Sequence, residues 1–191
     1  MSTIVAVRKD GGAAIAADSL TTWGSAKESA EYVVAHHKII CVGASYIAIS
    51  GPTAANLALS DYFETKQDAD LTSVPAIFRT WLNLHAALRD RYFMNPTENR
   101  DDAFESTRID VLIANPNGIF GVEAHRAVQQ FSKYYAYGTG WQHALGAMYA
   151  AYSQSNLSAE EVANVGIRAA AEFDIDTGLP ILCHSVRLAR T

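Results

Sequence analysis

Ser2-Thr3-Ile4-Val5-Ala6-Val7-Arg8-Lys9-Asp10-Gly11-Gly12-Ala13-Ala14-Ile15-Ala16-Ala17-Asp18 is the stretch from which the fold is read. Thr3 to Val7 is rich in β-branched residues, and Lys9-Asp10-Gly11-Gly12 supplies the turn chemistry of a tight hairpin. Ala13 to Ala17 is then the returning strand. Lys38 to Val42 and Ser45 to Ser50 form a second pair around Gly43-Ala44. All four segments are apolar nearly throughout instead of alternating with polar residues. They therefore belong to sheets covered on both faces.

The rest of the chain supplies the covers. From Thr53, the residues Ala54, Leu57, Ala58, Tyr62 and Phe63 fit a helical face. A second helix is marked by Val74, Ile77, Phe78, Trp81, Leu82, His85, Leu88 and Tyr92, with Ser73 as its cap and Pro75 in its first turn. A polar loop runs from Asn95 to Arg108. The second half repeats the order. Ile109 to Ala114 and Ile119 to Glu123 flank the turn Asn115-Pro116-Asn117-Gly118, and one more strand lies between Gln130 and Tyr137. A helix follows with Trp141, Leu145, Met148, Tyr149 and Tyr152 on its stripe. The next opens on the capping box Ser158-Ala159-Glu160-Glu161, with Leu157 and Val162 as a hydrophobic staple and Val162, Val165, Ala169 and Phe173 as its buried face. Pro180 to Leu188 is the last strand. This order predicts an α+β fold in one domain over residues 1–191: a four-layer αββα sandwich, two stacked antiparallel sheets between helical layers.

Composition narrows the function classes. The chain has 191 residues, 49% hydrophobic and 18% charged, enough apolar content for a packed core. Its net charge of −5 argues against nucleic acid as a partner, because phosphate binding needs a positive field. No apolar run reaches the roughly 18–20 residues that span a bilayer. The N-terminus has no basic segment followed by an apolar one, so a soluble, cytoplasmic protein is expected. Cys41 and Cys183 each sit in an apolar run and read as buried free thiols. No zinc spacing exists, and His36-His37 lacks a third ligand, so neither metal nor cofactor is expected.

Two charges stand out. Asp18 ends the run Ala13–Ala17, and Lys38 opens the run Ile39–Val42. A lone charge at a buried strand is expensive and a paired one tolerable, which points to an Asp18–Lys38 pair beside the N-terminus.

Ser2 to Arg8, then Gly11, then Ala16-Ala17-Asp18 resembles the opening of a proteasome β-type subunit, an N-terminal nucleophile hydrolase. Lys38-Ile39, Ser50-Gly51, Gly138-Thr139-Gly140 and Asp174-Ile175-Asp176-Thr177-Gly178 follow in the order of that family's motifs. The likeness runs from Ser2 to the last strand and is nearest to the small bacterial proteasome homologues. It implies Ser2 as nucleophile with its own α-amine as base, Lys38 held by Asp18 as the cationic neighbour, and the Gly51 N–H as oxyanion donor. Thr139, Asp174 and Thr177 then orient the amine, and Thr22, Ile49 and Thr53 line the substrate pocket. The segment between Asp18 and Lys38 is a few residues longer than the family pattern.

The register selects the nucleophile. The family places its threonine sixteen positions before the aspartate, and the residue there is Ser2, not Thr3. Neighbours on a strand face opposite sides, so Thr3 is expected to contribute only local packing. Serine in second position is small enough for Met1 to be removed. The resemblance further implies a double ring of identical subunits (heptameric rings preferred, hexameric rings the alternative), peptides or unfolded proteins as substrates, and an ATP-dependent unfoldase as a candidate partner. Two other readings stand beside it: a weak or silent ring-forming subunit, and an N-terminal nucleophile amidase acting on small amides.

Overall fold

A turn with two left-handed residues, Asp10 (φ 49°) and Gly11 (φ 76°), joins strand β1 (Thr3–Lys9) to β2 (Gly12–Asp18). Positive φ at both central positions is the type I′ geometry whose twist matches the flanking strands. The computed structural model describes residues 2–34, 38–66, 68–97 and 101–189. After β2 come β3 (Thr21–Trp23), β4 (Ala26–Glu28), β5 (Ile39–Val42), β6 (Ser45–Ser50), α1 (Thr53–Thr65) and α2 (Val74–Asp90). The second half holds β7 (Asp110–Asn115), β8 (Gly118–Val122), β9 (Val128–Phe131), β10 (Tyr134–Gly138), α3 (Trp141–Tyr152), α4 (Ala159–Phe173) and β11 (Ile181–Arg187).

The strands form a four-stranded sheet, β10-β1-β2-β11, a five-stranded sheet, β5-β6-β7-β8-β9, and the small hairpin β3-β4. Three cores define the layers. Ile47, Ile49, Val111 and Phe120 pack with Leu59, Trp81 and Leu84 of α1 and α2. Val5, Val7, Ala14 and Ala16 pack with Met148, Val162 and Ile167 of α3 and α4. Between the sheets lie Ile4, Ala6, Ile15, Ala17, Ala48 and Leu112. This is the four-layer αββα sandwich. Its middle layer pairs large with small across β1 and β2, Ile4 with Ala17 and Ala6 with Ile15. That checkerboard keeps the sheets at an even separation of roughly 10 Å.

Some expectations are corrected. The single strand expected between Gln130 and Tyr137 is two strands in different sheets, β9 and β10. Ser132-Lys133 carries the chain across, and the rings of Phe131 and Tyr135 stack at 4.3 Å over the corner. The hairpin β3-β4 is hidden in the sequence by its polar composition, although Trp23-Gly24-Ser25 carries a turn signal, with Gly24 at φ 57°. Helix faces are rotated from those expected. In α2, Ala76 and Leu84 are buried while Phe78 and Leu82 are exposed. In α4, Ala163, Gly166 and Ala170 are buried and Phe173 is exposed. Gly166 sits against Met148 so closely that an added Cβ would lie 2.9 Å from the Met148 Cγ, so small residues set the α3–α4 approach. Ser73 occupies the N-cap of α2 but makes no capping hydrogen bond, whereas the Ser158–Glu161 capping box is complete. Cys41 is exposed, because its strand β5 is a sheet edge, and Cys183 is half-buried.

Candidate active site

Asp18 ends β2 directly opposite the start of β1, and its carboxylate is the local organiser. Oδ1 accepts the Thr3 N–H at 3.0 Å and the Lys38 ammonium at 2.7 Å. Oδ2 accepts the N–H groups of Leu20 and Gly178, each at 3.1 Å. Three backbone donors and one cation thus satisfy a carboxylate that is out of solvent. Lys38, just before β5 of the opposite sheet, also donates to the Leu20 carbonyl at 2.5 Å. Burial pushes its ammonium below the ordinary lysine value, and the charge and hydrogen bond of Asp18 oppose that shift.

Ser2 immediately precedes β1, and continuing the strand's alternation sends Ser2 and Thr3 to opposite faces. Thr3, Val5 and Val7 share one face of β1, the face covered by α3 and α4. Ser2 has the parity of Ile4 and Ala6, the face turned to the five-stranded sheet from which Lys38 and Ser50-Gly51 project. Ser2 is 5% exposed, and its carbonyl accepts the Thr139 N–H at 3.0 Å. Gly138 sits against it at φ 98°, and a Cβ there would fall 1.8 Å from the Ser2 oxygen and 3.0 Å from Ser50 Oγ. Only glycine fits this approach.

A cleft of about 460 Å³ opens beside these residues. Ser50, Gly51, Arg108, Gly138, Thr139 and Trp141 are among its lining groups. Gly51 is fixed from behind, since a Cβ there would meet the Arg108 carbonyl at 3.0 Å.

Thr139, Asp174 and Thr177 come together as one cluster. Asp174 Oδ2 accepts the hydroxyls of Thr139 at 2.6 Å and Thr177 at 2.5 Å. Thr3 joins them: its hydroxyl lies 2.6 Å from Thr177 Oγ1 and accepts the Gly140 N–H at 2.9 Å. The expectation that Thr3 is mere packing is therefore corrected. Its hydroxyl is fully buried and hydrogen-bonded, a consequence of starting a strand between two threonine-bearing turns.

The subsite residues divide. Thr22 is half-buried, and its hydroxyl donates to Asp176 at 2.6 Å, a contact with no signal in the sequence. Thr53 is half-buried at the start of α1. Ile49 is instead closed into the core with Ala55 and Leu59, a neighbour of the site more than an open wall. His36-His37 lies outside the described residues. Among the described residues no group of three or more His, Cys, Asp or Glu is placed to hold a metal ion.

No family model matches the chain, and no curated protein does. Solved structures do. Thiobacillus denitrificans BPH is 53% identical over 99% of this chain and 100% of its own, with a TM-score of 0.95. The same protein in complex with Epoxomicin aligns with a TM-score of 0.92, at 53% identity over 98% of this chain and 100% of its own. Eukaryotic HslV from Trypanosoma brucei shares the fold at a TM-score of 0.65 and 18% identity, over 97% of this chain and 99% of its own.

Proposed function

The chain belongs to the bacterial proteasome homologues, proteasome-type N-terminal nucleophile hydrolases, and we propose that it cleaves peptide bonds with Ser2 as the nucleophile. The observation that carries this reading is the closure of Asp18 on both Lys38 and the Ser2–Thr3 peptide, since Asp18 Oδ1 holds the Lys38 ammonium and the Thr3 N–H together.

In this mechanism, removal of Met1 frees the Ser2 α-amine. An α-amino group titrates at about 7.7–8.0, so at neutral pH a share of it is ready to act as base. The Ser2 hydroxyl passes its proton to that nitrogen as Oγ attacks the scissile carbonyl carbon. Base and nucleophile belong to one residue, which removes the entropic cost of assembling them. The Gly51 N–H meets the oxyanion of the tetrahedral intermediate. The amine returns the proton to the departing peptide nitrogen, the C–N bond breaks, and an ester remains on Ser2. Water then attacks the ester with the amine again as base, releasing the acid and restoring the hydroxyl. Lys38 has three ammonium donors, of which Asp18 and Leu20 take two. The third is assigned to Ser2 Oγ, where a positive charge favours the alkoxide.

Assembly is part of the reading. Leu57, Phe78, Leu82, Tyr149, Phe173 and Ile175 are exposed on the single chain. Apolar surface of this extent on α1 to α4 and the turn after α4 suits burial against further copies. The particle is read as a double ring of identical subunits, heptameric over hexameric, acting on peptides or unfolded proteins in the cytoplasm, with an ATP-dependent unfoldase as candidate partner. Native mass spectrometry tests the ring, a monomer at micromolar concentration counting against it. Hydrolysis of fluorogenic peptides by the wild type and its loss in Ser2→Ala test the chemistry.

A further inference from the structure

The hydrogen bonds around Thr3 have a direction that follows from counting protons. Thr177 has one hydroxyl proton, and it goes to Asp174 Oδ2. At its 2.6 Å contact with Thr3, Thr177 can therefore only accept, and Thr3 must donate. Thr3 Oγ1 in turn accepts the Gly140 N–H. Thr139 also commits its proton to Asp174. The chain of bonds runs one way, from Gly140 N–H through Thr3 and Thr177 to Asp174, with Thr139 joining at the end.

The consequence is felt at the N-terminus. Thr139 and Thr177 flank the Ser2–Thr3 peptide, one through the Thr139 N–H bond to the Ser2 carbonyl, the other through the Thr3 hydroxyl. In the mechanism proposed above these two hydroxyls face the Ser2 amine, and with their protons committed to Asp174 they offer it only lone pairs. Thr139 keeps two and Thr177 keeps one, because Thr3 occupies its other. We propose that Thr3 is a positioning residue of the catalytic centre: its hydroxyl fills one lone pair of Thr177 and anchors the Thr139-Gly140 turn, so that the neutral Ser2 amine is held by its hydrogens and its own lone pair is left for the Ser2 hydroxyl proton. This rests on the reading of Ser2 as nucleophile and adds a residue outside the set that the sequence assigned.

Loss of the Thr3 hydroxyl frees a second lone pair on Thr177. An extra acceptor favours the three-hydrogen ammonium over the neutral amine, so the amine should hold its proton to higher pH. The charged groups on the elements that border the site are Asp18 at the end of β2, Lys38 before β5, Asp174 and Asp176 after α4, and Arg108 and Asp110 at the entrance to β7. None of them changes in a Thr3 variant.

The experiment uses the assembled protein with Thr3→Val, which keeps the shape and removes the hydroxyl, and Thr3→Ser, which keeps the hydroxyl. Two readouts are taken. One is the pH profile of kcat/KM on a peptide reporter. The other is the pH dependence of N-terminal acylation by an amine-reactive acetyl ester, followed by peptide mass, which needs no turnover. Thr3→Val should lower kcat/KM about tenfold or more, and should move both the acid limb and the acylation midpoint up by about half a pH unit or more. Thr3→Ser should restore both. Where Thr3→Val does not assemble, Thr3→Ala is judged by the same criteria. A hydroxyl-free variant that keeps the wild-type rate and midpoint overturns the proposal, as does Thr3→Ser being as impaired as Thr3→Val. A wild type that neither turns over peptides nor exposes a Ser2 amine instead overturns the assignment of Ser2 itself.

Discussion

Lys38 Nζ lies 2.7 Å from Asp18 Oδ1, with the two side chains 3% and 0% exposed. The pair joins the two sheets at the open end of the β1-β2 hairpin, and its halves are not equivalent. Asp18 also accepts three backbone N–H groups, so it stays satisfied when Lys38 is lost. Lys38→Ala should therefore keep the fold and assembly while lowering kcat by about a hundredfold to a thousandfold, the range for removing one electrostatic group from such a site. Asp18→Ala orphans three donors and a buried cation, and should destabilise by about 3–5 kcal/mol. Urea unfolding beside peptide turnover separates the two effects.

The same pair sets a pH dependence. Burial lowers the Lys38 pKa from 10.5. Between that lowered value and 10.5 the unfolded chain holds more protons than the folded one, so this residue makes stability rise with pH across the window. Activity follows the opposite sign, because the cation is lost there. The alkaline limb of kcat/KM should fall below 10.5 and move lower still in Asp18→Asn, which removes the charge that holds the proton on. A limb at or above 10.5, or one that moves upward in Asp18→Asn, contradicts the assignment.

Gly138 closes the site from the β10 side. Its φ of 98°, with an added Cβ only 1.8 Å from the Ser2 carbonyl oxygen, leaves no room for alanine. Gly138→Ala should cost about 3 kcal/mol or more and remove activity even where the ring survives. Thermal denaturation and peptide turnover check both halves, and a variant with unchanged Tm would show that β10 can retreat from Ser2.

The two thiols should behave differently. Cys41 is exposed on the edge strand β5, while burial pushes the Cys183 thiol up to about 12. At about pH 8 a disulfide reagent should modify one thiol per native chain quickly, and Cys41→Ser should abolish that phase. Fast modification of both would place Cys183 in a more open setting than its position on β11 implies.

Much of this is legible in the sequence because the deciding signals are local. Lys9 to Gly12 spells out its turn, and Asp18 and Lys38 announce themselves as charges at buried strand ends. The Ser158–Glu161 box is likewise written in four consecutive residues. Helix faces are harder. Phe78, Leu82 and Phe173 are as apolar as any core residue, and periodicity does not say which of two apolar stripes meets the sheet. Ala163, Gly166 and Ala170 escape notice because small residues carry little hydrophobic signal, although they are what lets α4 approach α3. The β9-β10 corner reads as one strand because its step between sheets occupies only Ser132-Lys133. Thr3 is undervalued for a different reason: its partners Gly140 and Thr177 lie far along the chain, and no pattern in the first strand reveals them.

The central claim is that Ser2 carries both the hydroxyl and the free amine of the reaction. A peptide epoxyketone presents two electrophilic carbons, which a hydroxyl and an amine carried by one residue can capture together. Peptide mapping by mass spectrometry after treating the purified assembly with a peptide epoxyketone is the most direct measurement. A single adduct on the N-terminal peptide, beginning at Ser2 with Met1 gone and lost in Ser2→Ala, is the expected result. An adduct on Thr3, or an N-terminal peptide that retains Met1 and takes no label while peptide hydrolysis continues, would contradict it.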